Sequence, residues 1–163
     1  MNIRISALPL FICVLVTAHA QSTASSAKES VMTNHATGPF DVKVTPQEDN
    51  TGDTDIGRLT IDKQYHGELD GAGKGQMLTS GSVAKGSAGY VAMERVTGKL
   101  KGRTGSFTLQ HSGSLNNGAQ KLLVTIVPGS GAGDLEGIAG KMTITITGGK
   151  HSYDLEYTLP RKE

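Results

Sequence analysis

The sequence predicts an all-β protein: a single closed, eight-stranded, antiparallel up-and-down barrel. Apolar and polar residues alternate with a period of two from Gly38 onward, and no stretch keeps apolar residues at helical spacing for three turns. The 22 glycines supply many turns, and one glycine-leucine pattern recurs three times between candidate strands. Eight antiparallel strands avoid exposed edges by closing on themselves, which favours a barrel. A two-sheet sandwich of the same strands stays open as the alternative.

Residues 1–20 have the features of a secretory signal peptide. Arg4 gives a positive start, an apolar run extends from Ala7 to Thr17, and Ala18-His19-Ala20 forms a small-residue cleavage site. The rival interpretation is a membrane anchor, but the apolar run is shorter than the roughly 20 residues that a spanning helix needs. We therefore expect cleavage after Ala20 and a periplasmic or extracellular location.

Cleavage would change both the cysteine content and the charge. Cys13 is the only cysteine, so the mature chain would fold without disulfides. Loss of Arg4 would balance the remaining basic residues against the 15 acidic ones. A chain without net charge has no electrostatic attraction for nucleic acid or for an anionic membrane surface, so we expect neither as a partner.

The remaining chain divides into a short tether and one domain. Residues 21–37 are rich in Ser, Thr and Ala and have no periodicity, which is typical of a disordered tether. Residues 38–159 form the predicted barrel domain. Its eight predicted strands are Pro39 to Thr45, Gly57 to Glu68, Gly75 to Ser80, Ala88 to Thr97, Thr104 to Ser112, Lys121 to Val127, Lys141 to Thr147, and His151 to Leu159.

Three pentapeptides share the pattern glycine, polar, leucine, polar, glycine, and their central residues are Leu69, Leu100 and Leu135. They fall between strands two and three, four and five, and six and seven. Alternate turns of a meander lie at the same end, so we expect the three leucines to close one end of the barrel. The longer, more polar connections at the other end would form its mouth.

The hairpin from Tyr90 to His111 carries the main candidate for a buried polar group. If Gly98 to Arg103 is the turn, Glu94 faces Phe107 and Tyr90 faces His111, so these side chains point into the barrel. Alternation alone does not decide the face, because Val91 begins an apolar alternation on the other side. Burial would raise the pKa of Glu94, which suits an acid or base. The alternative is a hydrogen-bonded lining group without chemistry.

The last strand contributes two further candidates. His151 and Tyr153 share one face, and His151 lies beside the Gly148-Gly149 turn at the mouth. We expect no cofactor or metal: the acidic stretch from Glu48 to Asp55 lacks EF-hand spacing, and no histidines are paired at metal-ligand spacing. No catalytic residue is assigned. The candidate ligand-binding residues are Tyr90, Glu94, His111, His151 and Tyr153.

Three blocks in order resemble a bacterial family, domain of unknown function 3224: GYVAMERVTGKLKGRTGSFTLQHSG, VTIVPGSGAGDLEGIAGKMTI and GKHSYDLEYTL. The resemblance covers roughly Met32 to Leu159. That family is similar in fold to the allene oxide cyclase barrels, which implies an allene oxide cyclase-like barrel here. Two features depart from the family: members often have Ser-Gly-Thr-Gly-Glu where this chain has residues 130–134, and they are commonly intracellular. The family has no settled activity, so the resemblance implies a fold and no mechanism.

The leading functional hypothesis is an exported small barrel that binds a small, largely apolar molecule through its mouth. One alternative is an isomerase or cyclase in which Glu94 acts as acid or base and His111 orients it. Another is a structural or partner-binding exported domain, which an exposed apolar patch would indicate. The sequence does not predict the oligomeric state or the identity of the ligand.

Overall fold

A computed structural model of the chain describes residues 32–48, 52 and 55–160. The predicted signal peptide, and the predicted tether up to residue 31, lie outside the described residues. No helix in the described part is long and apolar enough to cross a membrane. The described strands are β1 (Asn34–Gln47), β2 (Ile56–Tyr65), β3 (Leu69–Ser82), β4 (Ser87–Leu100), β5 (Arg103–Asn116), β6 (Ala119–Ile126), β7 (Ala132–Gly133), β8 (Ala139–Thr147) and β9 (Lys150–Thr158).

Eight of these strands form a closed antiparallel barrel. They pair in the order β4-β3-β2-β1-β9-β8-β6-β5, and β4 also pairs with β5, which closes the ring. The remaining strand, β7, has two residues and pairs with β5 at Gly105 and Ser106, beyond the stretch that β6 covers. The predicted eight-stranded barrel is confirmed. The sandwich alternative is wrong, because the β4–β5 pairing leaves no open edge between two sheets.

Several predicted boundaries differ from the structure. Residues 34–37 belong to β1, although the composition placed them in the tether. The third strand begins at Leu69 rather than Gly75, and the second ends at Tyr65 rather than Glu68. Two of the three patterned pentapeptides therefore lie largely within strands, and only the one around Leu135 is a turn. Glycine is tolerated in strands where another backbone approaches closely, which the turn interpretation overlooked.

The three patterned leucines nevertheless meet at one end, called here the closed end. Leu69 and Leu100 are register partners on β3 and β4. Leu135 packs next to Gly105, which faces Gly98 across the β4–β5 pair. All three leucines are buried and belong to the same core cluster, which also includes Phe107 and Tyr157. Side chains therefore fill the closed end of the barrel.

The opposite half of the interior is not filled. Val44, Leu122 and Ile146 lie near the other end of their strands and line a central cavity, yet they are 43%, 44% and 62% exposed. Large apolar side chains inside a barrel are normally covered by their neighbours. Here they surround an open space, so the molecule has one packed end and one open end.

Candidate functional site

The open space, called here the mouth cavity, has a volume of about 520 Å³. It lies at the end that carries the β3–β4, β5–β6 and β8–β9 connections, which is the end predicted as the mouth. A hydrogen bond from Gly118 N to Gly86 O joins two of these connections. Most of the wall is apolar, formed by side chains that include Val42, Leu59, Met77, Leu115, Leu122 and Ile144.

A second depression of about 580 Å³ lies on the outside of β2 to β5. Its charged side chains already have partners: Lys74 is paired with Asp62, and Arg95 donates a 2.7 Å hydrogen bond to Ser106 Oγ. Apart from Met93, its outward-facing side chains are polar, and the depression is open to water. The mouth cavity is the better candidate site because it is enclosed by the barrel and its wall is apolar.

A buried polar cluster lies beneath the mouth cavity and centres on Glu94, whose side chain is 0% exposed. Lys63 Nζ donates a 2.7 Å hydrogen bond to Glu94 Oε2, and Tyr65 OH donates one of 2.8 Å to Glu94 Oε1. Lys63 Nζ also lies 3.3 Å from Tyr65 OH. Strands β2 and β4, which flank β3, therefore supply a cation, a hydroxyl and a carboxylate. These three groups satisfy one another's hydrogen bonds away from water.

The electrostatics of the cluster keep Glu94 ionised. Burial acts to raise the pKa of the Glu94 carboxyl, but the neighbouring His111, Lys63 and Tyr65 outweigh burial and lower it below the usual value. The sequence-based expectation of a raised pKa is therefore wrong. Burial, together with the charge of Glu94, raises the pKa of Tyr65, so its hydroxyl remains a donor. A carboxylate held in this way is a poor proton shuttle near neutral pH.

His111 completes the cluster but is less well satisfied than its neighbours. Its Nε2 atom lies 3.1 Å from Glu94 Oε2, close enough for an ion pair if the ring is protonated. The angles are outside hydrogen-bond geometry, however, and this buried nitrogen has no hydrogen-bond partner among the described residues. A buried polar atom without a partner is uncommon and costly. His111 also lines the mouth cavity, so the side chain that carries this unpartnered nitrogen forms part of the cavity floor.

The hairpin register explains why the inward face was predicted correctly from a wrong pairing. Glu94 faces Leu109 and Tyr90 faces Gly113, a shift of two residues from the predicted pairs. Because side chains alternate with a period of two, a shift of two preserves the face. At Gly113 a Cβ atom would lie 2.1 Å from the Tyr90 ring, so the ring occupies the space that this glycine leaves.

The structure brings together three of the five predicted site residues. Tyr90, His111 and His151 line the mouth cavity. Glu94 lies below its floor, bonded within the cluster. Tyr153 shares the inward face of β9 but belongs to the closed end: its hydroxyl accepts a 2.8 Å hydrogen bond from Leu69 N and donates to His66 O at 3.0 Å. Whether any of the five binds a ligand stays a prediction.

Sequence reasoning missed Lys63 and Tyr65. The signal was present, because Leu59, Ile61, Lys63 and Tyr65 alternate on the inward face of β2. A lysine within an apolar alternation needs a buried partner or a route to water. Lys63 has both a partner and aromatic contacts, with Nζ 5.0 Å from the centroid of the Phe40 ring. Within the described residues, no group of three or more His, Cys, Asp or Glu side chains could hold a metal ion.

Comparison with known proteins identifies a family. The sequence model for proteins of unknown function DUF3224 matches residues 36–157. A crystal structure of a protein of unknown function from the same family, from Shewanella oneidensis MR-1, is 43% identical, with a TM-score of 0.73, and the match covers 79% of this chain and 100% of that chain. No curated protein gives a significant match. The chain therefore belongs to the DUF3224 family of proteins of unknown function.

Proposed function

We propose that this protein binds a small, largely apolar molecule in the mouth cavity. The observation that carries the proposal is the unfilled half of the barrel, where inward-facing apolar side chains surround about 520 Å³ of open space. Ligand sites in proteins have volumes of roughly 300–1,000 Å³, with apolar walls and few polar groups. The wall of the mouth cavity and the small polar cluster at its floor match this description.

The exposed apolar side chains of the cavity wall also supply a driving force for ligand binding. Burying apolar surface gains about 25 cal/mol per Å². Val44, Leu122 and Ile146 are each more than two-fifths exposed, so an apolar molecule bound in the cavity would remove their surface from water. Charged partners have less to gain here, since the floor already holds a matched cation and anion.

Filling the cavity should weaken ligand binding. Val42 lies on the wall, so Val42→Trp would occupy much of the space and weaken binding of the apolar fluorescent probe N-phenylnaphthylamine by about tenfold or more. The matched control is Val91→Trp, because Val91 lies on the outer face of β4 and is 55% exposed. A fluorescence titration that finds equal affinity for wild type and Val42→Trp would rule out the cavity as the binding site. If Val42→Trp does weaken binding, mass spectrometry of extracts from the purified protein would be used to search for the natural ligand.

We also propose that the protein acts outside the cytoplasm. The support is the signal-peptide pattern of residues 1–20, from Arg4 through the apolar run to Ala20. N-terminal sequencing of the protein isolated from its host should find a mature chain that starts at Gln21. A protein that accumulates with Met1 to Ala20 still attached would contradict export.

The isomerase or cyclase alternative, and with it the proposed likeness to allene oxide cyclases, has weaker support. An acid or base must reach the ligand within hydrogen-bond distance. Glu94 is fully buried, bonded to Lys63 and Tyr65, and does not line the mouth cavity. Similarity of fold alone is a weak argument for chemistry.

The partner-binding alternative has one observation in its favour. Leu78 and Val91 are register partners on the outer face, and Leu123 lies two strands further along the same row. All three are about half exposed. The row is narrow, and nothing within the described residues indicates what would cover it, so the mouth cavity carries the stronger argument.

A further inference from the structure

The polar cluster at the cavity floor leaves two hydrogen-bonding groups without a partner among the described residues. Lys63 carries three N–H groups, Tyr65 carries one O–H, and His111 carries at least one N–H. Within the described residues, these donors make hydrogen bonds to Glu94 Oε1, Glu94 Oε2 and the Tyr65 oxygen. One N–H of Lys63 therefore has no acceptor, and the buried Nε2 of His111 has no hydrogen-bond partner.

Both under-satisfied side chains line the mouth cavity. They also converge on one atom, since Lys63 Nζ and His111 Nε2 lie 2.7 and 3.1 Å from Glu94 Oε2. The Phe40 ring, 5.0 Å from Lys63 Nζ, gives a cation–π contact but no oxygen acceptor. A ligand oxygen that reaches the floor would meet an ammonium N–H there.

Charge decides what kind of oxygen fits. Lys63 and Glu94 already neutralise each other at 5% and 0% side-chain exposure. A ligand carboxylate at the floor would be a second buried anion beside Lys63, whose charge Glu94 already balances, and burying an unpaired charge is expensive. Lys121 also lines the cavity, but it lies at the exposed rim and could hold an anion only there. An uncharged acceptor satisfies the free donor and adds no charge.

We propose that the ligand is an apolar molecule with one uncharged oxygen acceptor, such as a ketone or ester carbonyl, which accepts a hydrogen bond from Lys63 at the cavity floor beside His111. The inference rests on the proposed function and specifies its ligand class. The apolar part of the molecule would lie along the wall towards Leu122 and Ile146.

Three probes of nearly the same shape test the head group: butylbenzene, butyrophenone, in which one methylene becomes a carbonyl, and phenylbutyrate, which ends in a carboxylate. Titration calorimetry should find that butyrophenone binds about tenfold or more tightly than butylbenzene, because a hydrogen bond from a charged donor is gained. Phenylbutyrate should bind more weakly than butyrophenone. Equal affinity for the ketone and the hydrocarbon, or tightest binding of the carboxylate, would overturn the inference and leave the cavity proposal intact. Failure of all three to bind would count against the cavity proposal itself.

The double variant Lys63→Met/Glu94→Gln removes the donor without leaving a buried charge unpaired. It should lose the preference for butyrophenone over butylbenzene. The matched control is Lys74→Met, because Lys74 lies on the outer surface and pairs there with Asp62; it should keep the preference. If the double variant does not fold, infrared spectroscopy of butyrophenone bound to the wild-type protein tests whether the ligand carbonyl accepts a hydrogen bond. A hydrogen-bonded carbonyl absorbs at lower frequency than the same carbonyl in hydrocarbon solvent, and an unshifted band would contradict the proposal.

Discussion

The Lys63–Glu94 ion pair is buried inside the barrel. Two charges separated by 2.7 Å are removed from water, so their attraction must offset the desolvation of both. Removal of one partner leaves the other charged and unpaired in the same place. The energetic coupling between Lys63 and Glu94 is therefore much stronger than that of an exposed ion pair.

We predict that each single substitution in this pair lowers the free energy of unfolding much more than the double substitution does. Lys63→Met and Glu94→Gln should each lower the free energy of unfolding by about 3–5 kcal/mol, because each strands a buried polar or charged partner. The double variant should lie within about 2 kcal/mol of wild type, since Gln keeps an acceptor for Tyr65. Urea denaturation of the four proteins measures this coupling. Strictly additive losses would show that the two side chains do not depend on each other.

The pH dependence of stability provides an independent readout of the same pair. The folded-state pKa of Glu94 lies below the value of 4.5 for an unperturbed carboxyl, so the folded protein binds the proton less readily than the unfolded chain. The stabilisation is therefore present above pH 4.5 and is lost as the pH falls through the lowered folded-state pKa. The double variant Lys63→Met/Glu94→Gln should lack this component of acid destabilisation.

At the residue scale, sequence reasoning correctly placed the Glu94 carboxylate inside the barrel but predicted the wrong direction for its pKa shift. Alternation was sufficient to turn Glu94 and His111 inward, even though the assumed register was wrong by two residues. The direction of the pKa shift depends on His111 in the same hairpin together with Lys63 and Tyr65, and the last two lie 31 and 29 positions away on another strand. A periodic pattern within one hairpin contains no information on such a partner.

Strand β3 shows how an element is shaped around the cluster. Gly73 lies on its inward face, and a Cβ atom there would be 2.0 Å from Glu94 Oε1 and 3.1 Å from the Tyr65 ring. The missing side chain is what allows Glu94 and Tyr65 to meet beneath the cavity. Glycine weakens an isolated strand, but here its neighbours on β2 and β4 occupy the space.

We predict that Gly73→Ala destabilises the protein by about 2 kcal/mol or more, because the methyl group displaces the Glu94 carboxylate from its partners. Gly89→Ala is the control: it lies within β4, needs no left-handed backbone, and its Cβ would have its nearest neighbour at 3.8 Å. That variant should change the free energy of unfolding by less than about 1 kcal/mol. Thermal and urea unfolding compare the two, and equal losses would show that Gly73 has no special packing role.

At the element scale, the eight long strands were predictable because alternation extends through each of them. The two-residue strand β7 was not, since two residues carry no period. The glycine-leucine repeat predicted the correct end for Leu69, Leu100 and Leu135, but Leu69 and Leu100 lie at strand ends rather than in turns, and only Leu135 lies in a turn. Its glycines include Gly71 and Gly98, where a Cβ would clash with the backbone of the neighbouring strand, so they mark close strand approach.

The molecule as a whole is polarised between a packed end and an open one. The large core side chains of the closed end bury one another, whereas the inward side chains of the mouth face about 520 Å³ of open space. The sequence allowed this polarity to be predicted from the repeat at one end and the longer connections at the other. The volume of the cavity was not predictable, because it depends on how the side chains of eight strands fill the barrel together.

The ends of the described chain have a directional consequence. Asn34 at the start of β1 is paired with Tyr157 near the end of β9, so both ends of the described part lie on the side opposite the opening. A segment attached before Met32 or after Pro160 would therefore be connected at the closed end. If the barrel were immobilised through either segment, its entrance would point away from the support and remain accessible to molecules arriving from solution.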